Sequence, residues 1–148
     1  MKRLILLPLL LLAACTSDGP RFTAEMVETI TIDGQMPDET VNFIKRNFTV
    51  TQSGTVNFEM TILEAVNSVT GEPFEFSALL VNFGAPILDV EGTEICQITG
   101  SNFMSQGDSF SLGLRPSIYC LVFLRPDEIV QPRSAIVTFS MTLTGAFS

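Results

Sequence analysis

The chain has 148 residues, 46% of them apolar and 16% charged, which excludes a disordered polymer and supplies one domain with one core. Sixteen acidic and eight basic side chains give a formal net charge of −8; Lys2 and Arg3 precede every acid, so from Cys15 onward six basic residues face sixteen acidic ones, a balance of −10. That excess excludes nucleic acid, whose binding needs clustered Lys and Arg, and it repels anionic lipid headgroups.

Met1-Lys2-Arg3 is a short basic region, and Leu4 to Leu12 is Leu and Ile interrupted by Pro8. Nine residues cannot cross a hydrocarbon core, which takes about 20 in a helix. They match the apolar region of a signal peptide. The run ends Leu12-Ala13-Ala14-Cys15, and it resembles the bacterial lipobox, in which signal peptidase II cuts before a cysteine already carrying diacylglycerol. The resemblance implies a signal peptide over 1–14 and a lipid anchor on Cys15. Each acyl CH₂ buried in the bilayer stabilises by about 0.8 kcal/mol, and two or more chains hold stably. Thr16, where some bacteria use Asp for retention, implies the outer membrane. Thr16-Ser17-Asp18-Gly19-Pro20 is small and polar, so 15–21 is expected to be a lipidated tether and 22–148 the folded domain.

From Phe22 the apolar period is two. Val56, Phe58, Met60 and Ile62 alternate with polar residues, as do Val137, Phe139, Met141 and Leu143, and Phe110, Leu112 and Leu114. Such alternation marks half-buried strands. Strands are expected over 22–32, 40–51, 55–64, 74–83, 93–99, 108–114, 117–125 and 134–144. Turn chemistry separates them at Asp33-Gly34, Ser53-Gly54, Gly71-Glu72-Pro73, Gly84-Ala85-Pro86, Gly100, Gly107-Asp108, Pro116 and Pro132. Strand 74–83 is apolar on both faces and is expected to be central. In 40–51, a bulge near Lys45-Arg46 would bring Val41, Phe43, Phe48 and Val50 to one side. Eight short strands without helices predict an all-β, antiparallel two-sheet sandwich of jelly-roll-like type.

With Cys15 lipidated, Cys96 and Cys120 remain as an even pair in an oxidising compartment, which favours a disulfide. Both sit among apolar neighbours, so the bridge is expected inside the sandwich. Closing a loop of about 25 residues stabilises by roughly 3–4 kcal/mol in the chain-entropy model.

Phe48-Thr49-Val50-Thr51-Gln52-Ser53-Gly54-Thr55-Val56, then Gly107-Asp108-Ser109-Phe110-Ser111-Leu112, then Arg115-Pro116-Ser117-Ile118-Tyr119-Cys120-Leu121-Val122 follow one another in that order. Over Asn47–Gly145 the chain resembles the bacterial pre-peptidase C-terminal domain, a small jelly-roll-like sandwich. Exported proteins of this type carry one cysteine in the middle and one in the "YC" strand, the positions of Cys96 and Cys120. Ser117 departs from the family's usual glycine, and 22–46 lies outside the resemblance. It implies an accessory binding or secretion-related module and supplies no catalytic residues.

The chain has no histidine, which removes Ser-His-Asp and Cys-His catalysis and every His-based metal site. Lys45, the one lysine after Cys15, has Arg46 beside it, which points to a solvated loop and not a buried Ser-Lys pair. No phosphate-cradling loop is present, and no cofactor is expected. Asp89, Glu91 and Glu94 cluster near a turn and are candidate calcium ligands, against the simpler reading of solvated acids. Phe103, in the stretch 100–107 read as a loop, is a candidate partner contact, against the alternative of a ring folded back over the sandwich. The expected function is a non-enzymatic, lipid-anchored binding or structural module. A surface adhesion or ligand-binding module, calcium-assisted, comes second, and a small carboxylate hydrolase third.

Replacing the acylated residue tests the targeting signal. Cys15→Ser is expected to leave an unlipidated, uncleaved or aberrantly cleaved precursor, read by mass spectrometry of the N-terminal peptide. Maturation to the same N-terminus without acyl chains would contradict the assignment.

Overall fold

Side chains that alternate apolar and polar build eight strands: β1 (Glu28–Met36), β2 (Phe43–Val50), β3 (Gly54–Asn67), β4 (Leu79–Leu88), β5 (Glu94–Met104), β6 (Ser109–Leu114), β7 (Ser117–Leu124) and β8 (Ala135–Gly145). The computed structural model describes residues 28–37, 41, 43–73, 75–125 and 135–145. The signal segment, Cys15, the tether, the first part of the expected strand 22–32, and 126–134 lie outside the described residues.

The strands form two antiparallel sheets in the orders β1-β8-β3-β6 and β2-β7-β4-β5. β1 pairs with β8, β2 with β7, β3 with β6 and β4 with β5. The chain is thus one long antiparallel ribbon, rolled so that successive strand pairs fall in alternate sheets; β8–β3 and β7–β4 pairing joins its coils. This is the jelly-roll order, and the expected all-β sandwich is the fold found.

The inner faces meet in a core rich in rings. Phe48 (β2), Phe58 (β3), Phe83 (β4), Phe110 (β6) and Tyr119 (β7) form one cluster drawn from both sheets. Phe58 stacks on Phe110 at 4.6 Å and stands edge-on to Phe48 at 5.9 Å, while Phe83 stacks on Tyr119 at 5.3 Å. A second contact joins Phe123 of β7 to Phe139 of β8 at 4.3 Å, again across the sheets. Such pairs contribute about 0.5–1.5 kcal/mol each beyond the area they bury. Val137, Phe139, Met141 and Leu143 are buried because β8 has a neighbour on both sides. Tyr119 closes the β6–β7 connection: its hydroxyl donates to Arg115 O at 3.0 Å and accepts from Arg115 N at 3.3 Å.

Several expected details are corrected. β2 has no bulge; its register with β7 is unbroken, and Ile44, Phe48 and Val50 face inward while Phe43 faces out. Lys45 therefore lies on a strand and not in a loop. β3 does bulge, between Met60 and Ile62, which turns Ile62 outward and Leu63 and Ala65 inward. β4 starts at Leu79 and not at 74, although it is an interior strand as expected and Phe76 still packs on the core. It continues as a strand past Gly84-Ala85-Pro86 to Leu88. Pro86 is tolerated because β4 pairs with β7 only as far as Gly84, so that side of the strand needs no further N–H donors. Gly100 likewise lies inside β5, which continues to Met104. Arg125 directly follows β7. It is 6% exposed, and Nη2 donates to Met36 O at 3.2 Å and Ala135 O at 2.9 Å, tying the end of β7 to strands of the opposite sheet.

Asp33-Gly34 also lies within β1, with Gly34 opposite Phe139. A Cβ on Gly34 would collide with the Phe139 ring and stand 3.1 Å from Ile44 Cδ1. The glycine makes room for a ring; it does not turn the chain. Gly34→Val is therefore expected to destabilise by about 1–3 kcal/mol through overpacking, measured by urea unfolding. In the Phe139→Leu background the added cost should fall markedly, whereas a turn-forming glycine would show the same cost in both backgrounds.

Candidate functional site

Residues directly opposite one another in a sheet share a face, and the register of β2-β7-β4-β5 brings four apolar side chains into one row. Phe43 lies opposite Leu124, Leu124 opposite Leu80, and Leu80 opposite Phe103. Each is flanked by a buried residue of the other parity (Ile44, Phe123, Leu79 and Val81, Met104), so the row stands on the outer face. Phe43 and Phe103 are both 61% exposed, and Leu80 and Leu124 are half-buried between them. At about 4.8 Å per strand the row is roughly 14 Å across. No charged residue interrupts it. The next row is mixed, with Lys45, Val122, Asn82 and Ser101, and the third holds Asn47, Cys120, Gly84 and Ile98.

Part of the rest of this face is covered by the chain itself. Beyond Gly84, β4 leaves β7 and continues paired with β5 alone, to Leu88 opposite Glu94. Glu94 meets β2, on the far side of β7: its Oε1 lies 2.9 Å from both Lys45 Nζ and Asn47 Nδ2, and its carbonyl accepts from Lys45 Nζ at 2.9 Å. The outer part of the β4–β5 hairpin therefore lies across β7 as a flap. Cys96 of the flap is bonded to Cys120 of β7. The expected disulfide is present, but on the outer face and not inside the sandwich, because Cys120 has the opposite parity to Leu121 and Phe123. Cys120 is nevertheless wholly buried, since the flap covers it. The Lys45 ammonium, then the Asn47 amide, hold the Glu94 carboxyl below the usual glutamate range. A carboxyl with a lowered folded-state pKa stabilises above its unfolded value and loses that contribution as pH falls through the folded one. This latch lies at the surface, with the Lys45 side chain partly covered, and it loosens only in acid.

The three candidate calcium ligands are engaged separately. Asp89 Oδ1 accepts from Glu91 N at 2.9 Å and Thr93 N at 2.8 Å, which closes the hairpin turn with Gly92 at φ 79°. Glu94 holds β2, and Glu91 is exposed. Among the described residues, no three Cys, Asp or Glu side chains converge as a cation site. Phe103 is exposed as a candidate contact, but on strand β5 and not in a loop. Phe43, Leu80 and Leu124 escaped the sequence reading. The alternative parity of β2, with Ile44 inward beside Phe48 and Val50, was the signal for Phe43; the alignment of all four has no local signature.

No protein-family model matches the chain, and no curated protein matches it.

The placement of the bridge separates flap from core. In the double variant Cys96→Ser, Cys120→Ser, global stability is expected to fall by about 3 kcal/mol, since the bridge closes a separation of 24 residues. Hydrogen exchange should rise first and most at 85–98 while β8 amides keep their protection. Equal loss across β7 and β8 would indicate that the bridge supports the core.

Proposed function

We propose that this protein is a lipid-anchored, non-enzymatic binding module of the bacterial envelope, held to the outer membrane through Cys15 and presenting the outer face of β2-β7-β4-β5 to another envelope protein. The observation that carries the reading is the uncharged row Phe43, Leu124, Leu80 and Phe103, assembled from four strands. Two phenylalanine rings left in water at the ends of a continuous apolar row mark an interaction surface more than an isolated exposed side chain does. The run Leu12-Ala13-Ala14-Cys15 supports the location. The absence of histidine from the chain supports a role without acid–base or nucleophilic chemistry, because the usual proton-transfer group is missing. The resemblance to the pre-peptidase C-terminal domain, an accessory module, points the same way.

Burying a phenylalanine contributes about 1.5–3 kcal/mol, or tenfold and more in affinity. Phe43→Ser and Phe103→Ser are each expected to leave the thermal midpoint within a few degrees of the parent, since both rings are mostly solvated. The pair together should reduce recovery of cross-linked envelope proteins from intact cells by tenfold or more. Unchanged recovery with the double variant would sink the reading, as would turnover of a substrate abolished by a single carboxylate change.

A further inference from the structure

The flap ends in aliphatic side chains that no part of the described fold covers. Val90 at the tip is 104% exposed and Leu88 70%, and Ile87 and Ile95, directly opposite each other on the two arms, are exposed as well. The tip is held rigidly. Asp89 caps the turn through two backbone amides, the disulfide fixes one arm to β7, and Glu94 fixes its base to β2. A group presented in a fixed conformation loses little entropy on binding.

The position of the tip selects its partner. Asn47, which Glu94 holds, lines a groove of about 500 Å³ between the edges of β1 and β2, and Glu28, at the start of β1, lines the same groove. Glu28, the first described residue, therefore lies at the edge the flap overhangs. Twelve residues lie between Cys15 and Glu28, so the two are at most about 45 Å apart along extended chain. An acylated Cys15 keeps that edge within reach of a bilayer.

We propose that the hairpin tip is a second membrane contact, in which Leu88 and Val90, supported by Ile87 and Ile95, enter the interfacial layer of a zwitterionic bilayer beside the acyl anchor. The inference rests on the reading of Cys15 as lipidated. Zwitterionic lipid is specified because Glu91 at the tip and the −10 balance after Cys15 oppose anionic headgroups, while the Asp89 carboxylate is turned into its own loop. Anchor and tip together make two points of attachment, which orient the domain and leave the row of Phe43 and Phe103 free for a protein partner.

The chain has no tryptophan, so one introduced indole reports a single position. Mature protein carrying Val90→Trp is purified from envelopes and reconstituted into phosphatidylcholine vesicles with brominated acyl chains. Val69→Trp is the control, because Val69 is 81% exposed in the turn after β3, at the opposite end of the sandwich from Glu28. Emission from Val90→Trp is expected to shift to the blue and to be quenched at least twofold, with Val69→Trp unaffected. Equal, water-like emission from both overturns the inference. Mass spectrometry of the N-terminal peptide from the same preparation reads the anchor separately. Acylated Cys15 with an unquenched tip leaves the anchor standing and removes the second contact. Unmodified Cys15 with a quenched tip removes the anchor and upholds the contact, and failure of both removes both.

Discussion

At Gly84 the backbone of β5 passes so close to β4 that a side chain would collide with Gln97 O, and Ile98 Cα would stand 3.1 Å from it. Only a residue without Cβ permits that approach. It coincides with the last residue of β4 paired to β7 and with a shift of register between β4 and β5. From this point the hairpin bends over the face of its own sheet. The consequences are local but far-reaching: Cys96 comes over Cys120 and Glu94 over Lys45 and Asn47, so that Cys120 is buried while the row of Phe43 and Phe103 stays open.

That division explains why β7 is apolar on both sides. Tyr119, Leu121 and Phe123 serve the core between the sheets, while Cys120 and Val122 lie under or beside the flap. Leu124 continues the outward set past the cover and becomes part of the exposed row. A single strand thus supplies both the inter-sheet ring contacts and the surface available for recognition. Rigidity of the core is what gives the row its geometry. Four side chains from four strands stay aligned only because the sheet beneath them is pinned by Phe48, Phe83 and Tyr119 to Phe58 and Phe110 of the other layer.

Surface charge reinforces the same arrangement. A molecule with so many acids repels copies of itself and anionic surfaces over most of its area, so uncharged regions are where contact is least opposed. The row and the flap tip are two such regions, at different places on one face. One is proposed to meet a protein and the other a lipid surface.

Much was legible in the sequence. Period-two alternation in 56–60, 110–114 and 137–143 identified strands, an inward face and an all-β sandwich, because in a strand the alternation of side chains is a covalent consequence of the backbone. The even cysteine pair pointed to the disulfide. Turn residues were less reliable. Gly34, Gly84, Pro86 and Gly100 read as breaks and proved to lie inside strands, where Gly34 meets a ring and Gly84 a backbone from elsewhere in the chain. Those neighbours lie elsewhere in the sequence, Phe139 for Gly34 and Gln97 for Gly84, so no local pattern announces them. Composition and alternation determined what kind of fold would form, and setting Cys15 aside by its resemblance to the lipobox left Cys96 and Cys120 to join. Register, which places residues 43, 124, 80 and 103 side by side, and the bend that carries Cys96 over the outside of β7, were decided only when the sheets packed, because both depend on contacts between strands.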